Sequence, residues 1–284
     1  MQKLALAIIA LFLVNLSYAN LTSEDPNLSA YAEWKLKHGK SYSESEDRYR
    51  EFIYRERLQE VKAHNSNPEN TWLKGMNHFS AYTFEELKAS YLGGAPVAQH
   101  SGEVVKVEVK EDTPIVRGSK NWATEGVMGP VKNQGNCGSC WAFTAVGVIE
   151  AAFKIKNSNS VVLSEQQLVD CDAHSSGCNG GWMTTAFEYS MSFGLTTNAA
   201  YPYTATQGSC TKIGGAYKIK SYAELKMGDC KAMISYLDRS PLSVGLLVTN
   251  EWFQYRSGVF SCPSWVNGNY GVNHGVTAVG YTDQ

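Results

Sequence analysis

The chain has few charged residues and no cluster of basic ones. Charged side chains make up 18 % of its 284 residues, and the formal net charge is −2. Nucleic-acid-binding proteins concentrate lysine and arginine on one face. The composition therefore argues against a nucleic-acid partner.

Long apolar runs are also scarce. The stretch from Leu4 to Val14 follows Lys3 and precedes Ser17-Tyr18-Ala19, a small-x-small cleavage pattern. A membrane-spanning helix needs about 20 apolar residues, and this run is shorter. We therefore expect a secretory signal peptide over residues 1–19, rather than a membrane anchor or an N-terminal core helix.

Cysteine is missing from residues 27–92 but frequent afterwards. The chain has seven cysteines, an odd number. In a secreted protein this count predicts three disulfides and one free thiol. A length of 284 residues allows one large domain or two smaller ones.

The cysteine-free region contains a helical pattern. One set of residues recurs at intervals of 4, 4, 3, 4 and 4: Glu46, Arg50, Tyr54, Arg57, Val61 and Asn65. These intervals place all six on one face of a helix. Spacing alone leaves open whether that face is packed or is the solvated side of an amphipathic helix.

The strongest chemical signal is the run from Gln134 to Phe143, Gln-Gly-Asn-Cys-Gly-Ser-Cys-Trp-Ala-Phe, which contains Cys140. A thiol is nucleophilic as the thiolate. A helix N-terminus and a facing imidazolium, for which His274 is the candidate, would both lower the pKa of Cys140. A zinc half-site or a redox pair with Cys137 is the alternative, but no second Cys-x-x-Cys follows.

Downstream, a helical half precedes a β half. Apolar residues recur at helical spacing from Ser139 to Lys156 and predict a buried helix, and Ser164-Glu165-Gln166-Gln167 predicts a capping box at the start of a shorter one. Beyond Gly194, β-prone runs at 242–249, 258–260 and 276–281 are separated by turn residues.

These motifs resemble the papain and cathepsin cysteine peptidases, in which Cys-Gly-Ser-Cys-Trp is followed by a histidine roughly 130–150 residues later; His274 lies 274 − 140 = 134 residues after Cys140. The helix of residues 46–65 resembles the cathepsin L-type prosegment, although Arg57 replaces an asparagine. The Gly75–Ala81 element is also similar, with Ala81 in place of an aspartate.

The resemblance implies an α+β, papain-like two-lobed fold, with a helical left lobe and a β-barrel-like right lobe. It also implies a helical prosegment over residues 20–112, ending in an extended strap, and a peptidase domain over residues 113–284. Such a chain is a cysteine endopeptidase zymogen whose prosegment blocks the cleft until acid activation. It reaches a lysosome or acidic vacuole, or is secreted.

The resemblance also assigns residues. Cys140 and His274 are the expected catalytic pair, and Gln134 with the Cys140 backbone N–H forms the oxyanion hole. Expected substrate-binding residues are Gly180, Gly181, Trp182, Met183, Gly245 and Gly275. The two glycines among the pocket positions, Gly245 and Gly275, predict a roomy apolar pocket for a bulky side chain.

The disulfides that the resemblance implies are Cys137–Cys178 and Cys171–Cys210. Cys230 and Cys262 are left over, and we expect them to pair in this chain, which would leave Cys140 as the single free thiol. No metal or cofactor is expected.

The family's orienting asparagine lies beyond Gln284, so we expect a right lobe without its C-terminal end. The alternative function is a catalytically defective homologue, or a prosegment-type inhibitor of related peptidases. The expected partners are peptide or protein substrates, the chain's own prosegment and cystatin-like inhibitors, and the expected state is a monomer.

Overall fold

A computed structural model describes residues 26–93, 105–107, 118–212, 214–262 and 271–282. The expected signal peptide, most of the strap and the expected domain boundary near residue 112 lie outside the described residues. Among the described helices, none has the length and apolar character needed to cross a membrane.

The chain forms two compact units, of which the first comprises residues up to 83 together with 251–261. Its elements are helices α1 (Pro26–Lys37) and α2 (Glu44–Ser66) and strands β1 (Trp72–Lys74) and β6 (Tyr255–Gly258). The two strands pair antiparallel, with Trp72 opposite Gly258. The aromatic side chains of Tyr31, Trp34 and Tyr54 form the centre of its core.

The predicted face of α2 is its packed face. Four of the six residues are buried: Arg50, Tyr54, Arg57 and Val61. Asn65 lies at the surface and bonds the backbone of Lys74 in both directions, at 2.9 Å. The alternative of a solvated amphipathic face is therefore wrong.

The second unit comprises residues 84–250 and 262–284. Its described elements are as follows: α3 (Phe84–Tyr91), β2 (Val105–Val107), β3 (Lys120–Asn121), α4 (Cys140–Asn157), α5 (Glu165–Cys171), α6 (Met183–Ser192), β4 (Ala223–Leu225), α7 (Cys230–Leu237), β5 (Leu242–Leu246), β7 (His274–Ala278) and β8 (Gly280–Tyr281).

Helix α4 is the buried helix predicted from Ser139 to Lys156. Its apolar residues occupy nearly all sides, and the core of the unit forms around Trp141, Val146 and Ile149. The implied disulfides Cys137–Cys178 and Cys171–Cys210 are both present. They cross-link the loops around this helix.

The capping box at Ser164 forms only in part. The Ser164 hydroxyl accepts from Gln167 N at 3.0 Å, as predicted. The Gln167 side chain does not return the bond to Ser164. Its Oε1 accepts from Thr196 N at 2.7 Å, and the Ser164 backbone N–H donates to Thr196 O.

Short strand pairs make up the β half. β5 and β7 pair antiparallel, with Gly245 opposite Gly275 and Leu246 opposite His274. β3 pairs with β8, and β2, from the expected strap, lies parallel to β4. The run predicted at 258–260 forms a strand earlier, at Tyr255–Gly258, in the first unit.

The expected Cys230–Cys262 disulfide is absent, and both residues are exposed free thiols. That pairing rested on a count of leftover cysteines. A disulfide instead requires a specific separation and orientation of the two residues, which no count supplies. Cys140 is therefore one of three free thiols among the described residues, and the only buried one of the three.

Candidate active site

Cys140 is the first residue of α4, and its neighbour Ser139 is the N-cap. The first backbone N–H groups of a helix have no partner within the helix and favour negative charge nearby. Cys140 keeps only 3 % of its surface exposed. Cys137 is bonded to Cys178, so the zinc or redox role considered for the Cys137 and Cys140 pair is not available.

The protonation of the thiol differs from the expectation. Burial raises the pKa of Cys140, while backbone hydrogen bonds from Gly275, Gly93 and Trp141 offset part of that rise. Removing a thiolate from water costs more than these bonds return. A pKa raised above its ordinary value leaves the thiol neutral at neutral pH, whereas the helix position and a facing imidazolium had both predicted a lowered pKa.

His274 begins β7 and lines the same cleft as Cys140. Burial lowers the pKa of its imidazole. Within the part of the chain that the structure describes, its Nδ1 is buried without a hydrogen-bond partner. The thiol and the imidazole are therefore both uncharged, and the imidazole has a nitrogen available for a proton.

The cleft has an empty volume of about 220 Å³. It is lined by Gly93, Cys140, Trp141, Gly181, Trp182, Met183, Val272, His274 and Gly275. Six of these nine were predicted as site residues from the sequence. The other three predicted residues, Gln134, Gly180 and Gly245, lie beside the cleft.

The side chain of Gln134 already binds a peptide carbonyl. Its Nε2 donates to Cys137 O at 2.8 Å and to Tyr91 O at 3.0 Å. Tyr91 ends α3, in the expected prosegment. The candidate oxyanion donor therefore holds a backbone carbonyl oxygen of the chain itself.

Gly93 passes close to the walls of the cleft. A Cβ at Gly93 would collide with the carbonyl oxygen of Gly138 and would lie 2.9 Å from the Cα of Gly180. Any larger residue would push the segment away from the thiol. Main chain of the expected prosegment thus covers Cys140.

The predicted glycines have structural reasons of their own. Gly180 has φ +117°, a conformation that side chains disfavour. A Cβ at Gly181 would lie 2.5 Å from the indole ring of Trp141. The fold itself therefore requires these two glycines, whether or not a substrate approaches them.

The room expected at Gly245 and Gly275 is partly filled. A Cβ at Gly245 would lie 2.9 Å from Val272 Cγ1, and one at Gly275 would lie 3.2 Å from Met183 Sδ. The two glycines thus accommodate the protein's own Val272 and Met183. These two apolar side chains occupy part of the room that the glycines were expected to leave.

Four contributors to the site were missed from the sequence. Trp141 lines the cleft but was taken only as part of the motif around Cys140. Tyr91 and Gly93 precede Cys140 by more than 45 residues, and no motif connects them to it. Val272 was not singled out, although it stands two residues before His274. A strand with His274 facing the cleft predicts that residue 272 shares its face.

Comparison with known proteins identifies the family of this chain. Residues 116–284 match the model of the papain family cysteine proteases, and residues 31–87 match that of the cathepsin propeptide inhibitor domain. Papaya proteinase 4 of Carica papaya is 35 % identical over 276 residues, which cover 95 % of this chain and 77 % of that protein. A cathepsin L-like proteinase of Fasciola hepatica is 34 % identical over 91 % of this chain and 81 % of its own.

Solved structures are similar over most of the chain. Digestive procathepsin L2 from the larval midgut of Tenebrio molitor superimposes with a TM-score of 0.83 and 30 % sequence identity. The match covers 91 % of this chain and 86 % of that one. The chain therefore has a papain-like fold and belongs to the papain family of cysteine proteases, with a cathepsin propeptide inhibitor domain ahead of the peptidase.

Proposed function

We propose that Cys140 and His274 are the catalytic pair of this cysteine protease and that Gln134 stabilises the oxyanion. The supporting observation is that Gln134 Nε2 holds a peptide carbonyl, Tyr91 O, at 3.0 Å beside the cleft that Cys140 and His274 line. A substrate carbonyl would take this place once the prosegment leaves.

The reaction follows from these groups. The Cys140 thiol gives its proton to the His274 imidazole, and the thiolate attacks the carbonyl carbon of the scissile bond. Gln134 Nε2 and the Cys140 N–H stabilise the oxyanion. As the C–N bond breaks, the imidazolium protonates the leaving amine, and a thioester remains. Water, deprotonated by His274, then hydrolyses the thioester and regenerates the thiol.

The propeptide domain implies peptide substrates and inhibition within the chain. We propose that extended substrates bind along Gly180 and Gly181, with one side chain directed toward Trp182, Met183, Gly245 and Gly275. Because Val272 and Met183 narrow this apolar pocket, branched aliphatic side chains fit better than large aromatic ones.

We propose that the prosegment inhibits the proform by covering these catalytic groups. Tyr91 O accepts the hydrogen bond of the Gln134 amide, and Gly93 lies over the thiol while burial keeps that thiol neutral. Removal of this cover by acid would return water to the site and favour the thiolate and imidazolium pair.

We also propose a secretory route to a lysosome, an acidic vacuole or the exterior, a monomeric state and inhibition by cystatin-like proteins. The two disulfides fit such an oxidising route.

Substitution of each free cysteine tests the assignment. We expect Cys140→Ser to stay unprocessed after acidification and to lose peptidase activity by at least about 10³-fold, because a serine hydroxyl lacks the acidity of a thiol. The matched control is the Cys230→Ser/Cys262→Ser double variant, which retains one buried thiol and should keep full activity.

The outcome is read as hydrolysis of a fluorogenic peptide and as alkylation of the thiol by iodoacetamide. Processing or activity in Cys140→Ser would remove Cys140 from its role. An acid-treated wild-type chain whose buried thiol is alkylated no faster than an ordinary thiol would favour the alternative, a non-catalytic inhibitor.

A further inference from the structure

The hydroxyl of Tyr203 connects the loop that carries Gln134 to the N-terminus of α4, where Cys140 lies. It donates to the Gln134 carbonyl oxygen at 2.7 Å and lies 2.6 Å from Ser139 Oγ. Ser139 is the N-cap of α4 and precedes Cys140. The Tyr203 hydroxyl thus links the backbone of Gln134, the proposed oxyanion donor, to Ser139, the residue before Cys140.

The direction of these bonds follows from the number of protons. A tyrosine hydroxyl has one proton, and the Gln134 carbonyl can only accept. Ser139 Oγ also lies 3.4 Å from Cys137 O, but the Tyr203 oxygen is much closer, at 2.6 Å, and we assign the Ser139 proton to that shorter bond. Burial raises the pKa of Tyr203, so the phenol stays protonated and the chain of donors runs from Ser139 through Tyr203 to Gln134.

Tyr203 itself is firmly held. Its ring packs edge-on against Phe143 of α4, with centroids 4.8 Å apart. The next residue, Thr204, donates its N–H to Gln166 Oε1 of α5 at 2.8 Å, and Tyr203 N donates to Asn198 Oδ1 at 3.3 Å. The hydroxyl therefore has a fixed position relative to both helices.

The loop of Gln134 has little regular structure to fix it. Residues 127–137 contain no helix or strand. Gln134 Nε2 bonds Cys137 O, which orients the amide within the loop, and Gly135 adopts φ +58°. The bond from the Tyr203 hydroxyl, together with its contact to Ser139, ties the Gln134 main chain to the start of α4.

We propose that Tyr203 is a positioning residue for catalysis, which sets the place of the Gln134 amide relative to Cys140 without touching the substrate. The inference rests on the proposed roles of Gln134 and Cys140. A donor displaced by a few tenths of an ångström stabilises the oxyanion less, whereas substrate binding, which precedes the oxyanion, is unchanged. The expected signature is a loss in kcat at constant KM.

The test uses the full chain after activation and the variant Tyr203→Phe, which keeps the ring and removes the hydroxyl. We expect kcat to fall about tenfold with KM unchanged, a part of the about 10²- to 10³-fold that removal of an oxyanion donor costs. The control is Tyr217→Phe. Tyr217 packs edge-on against Phe153 of the same helix, and its variant should keep the wild-type kcat.

A double-mutant cycle separates positioning from general stability. In a Gln134→Ala background, Tyr203→Phe should change kcat less than twofold, because the side-chain amide that Tyr203 positions is no longer there. Alkylation of Cys140 by iodoacetamide forms no oxyanion, so its rate should be the same in Tyr203→Phe and wild type. Ser139→Ala, which removes the other bond of the phenol, should give a smaller loss in kcat of the same type.

Each outcome is decisive. Unchanged kcat in Tyr203→Phe, an equal loss in the Gln134→Ala background or a parallel loss of alkylation would overturn the positioning role. If Tyr203→Phe does not fold, Ser139→Ala decides by the same three measurements. An unchanged kcat in Gln134→Ala itself would instead overturn the proposed function, and this inference with it.

Discussion

The two longest described helices, α2 of 23 residues and α4 of 18, bury their faces in opposite ways. α4 packs mainly against apolar side chains, and its loops carry two disulfides. Its carboxylate, Glu150, is buried as well and pairs with Lys132 at 2.7 Å. α2 buries two guanidinium groups. Arg50 donates to Ala81 O at 3.2 Å and to Glu46, and Arg57 donates to Tyr82 O at 3.3 Å.

The difference matches what each unit has to do. An apolar, cross-linked core depends less on pH and salt than a core built on charged groups, which suits an enzyme that must survive activation. A core that depends on hydrogen-bonded charges responds to solution conditions, because removal of one partner leaves the other buried and unsatisfied. Such a core suits an inhibitor that must be released.

The largest effect is expected in α4. Ile149 has 2 % of its surface exposed, and Ile149→Ala should lower the free energy of unfolding of the second unit by about 3–4 kcal/mol, through lost burial and a cavity. The control, Ile155→Ala on the same helix, removes a side chain that is 41 % exposed and should cost less than about 1 kcal/mol. Native-state hydrogen exchange of α4 amides gives both values. Equal losses would mean that the core does not fix this helix.

A smaller but selective effect is expected in α2. Arg50→Met keeps most of the side-chain volume and removes the donor to the Ala81 carbonyl. The free energy of opening α2 should fall by about 2 kcal/mol, measured by hydrogen exchange, with α4 unaffected. The matched control is Arg48→Met on the same helix. Arg48 pairs with Glu44 at the surface, with 69 % and 90 % of the side chains exposed, and should contribute less than about 0.5 kcal/mol. A similar loss in both variants would contradict the comparison.

The smallest effect is expected from a fall in pH, to which two histidines of the first unit respond. Burial and the neighbouring lysines lower the pKa of His38, and partial burial, His38 and Lys40 lower that of His78. A lowered folded-state pKa means that the unfolded chain binds more protons. The part of the first unit's stability that depends on the neutral forms of His38 and His78 is therefore fully present above the ordinary histidine pKa near 6.5. That part is lost as the pH falls below this value.

We expect the urea midpoint of the first unit to fall between pH 7.5 and pH 5.5, and to fall less in His38→Gln/His78→Gln. His78 is largely exposed, so solvent screening keeps the effect small. His274 also has a pKa lowered by burial and gives the second unit a sensitivity of the same sign. A steeper pH dependence in the double variant would show that carboxylates, rather than these histidines, sense acid.

The sequence was sufficient where a pattern is local. The helix predicted at 139–156 is observed at Cys140–Asn157, and the spacing of Glu46 to Asn65 predicted the packed face of α2. It also predicted that Cys140 and His274 share a site, because the motif around each is specific. It failed where the outcome depends on distant chain segments. The raised pKa of Cys140 follows from burial, to which the cover by Gly93 contributes, and the strand of residues 255–258 forms against β1, more than 180 residues earlier.

Two other features that the sequence did not predict also depend on distant chain segments. Cys230 and Cys262 could be paired only by counting, and counting contains no geometry. Tyr203 lies 69 residues from Gln134 and belongs to no periodic pattern. Nothing in the sequence around it indicates that its hydroxyl bonds both the Gln134 carbonyl and Ser139. Arg57, where the family has asparagine, donates to a backbone carbonyl, Tyr82 O, a contact that the substitution itself did not reveal.

The burial of Cys140 also protects the sulfur once the chain has folded. Disulfide exchange requires an accessible thiolate, and this thiol lies three residues from Cys137 in a chain that forms two disulfides. A sulfur that is neutral and covered can neither attack a neighbouring disulfide nor be oxidised readily to sulfenic acid. The segment that excludes substrate thus stores the nucleophile in its reduced form, so that each molecule released from inhibition begins with an intact thiol.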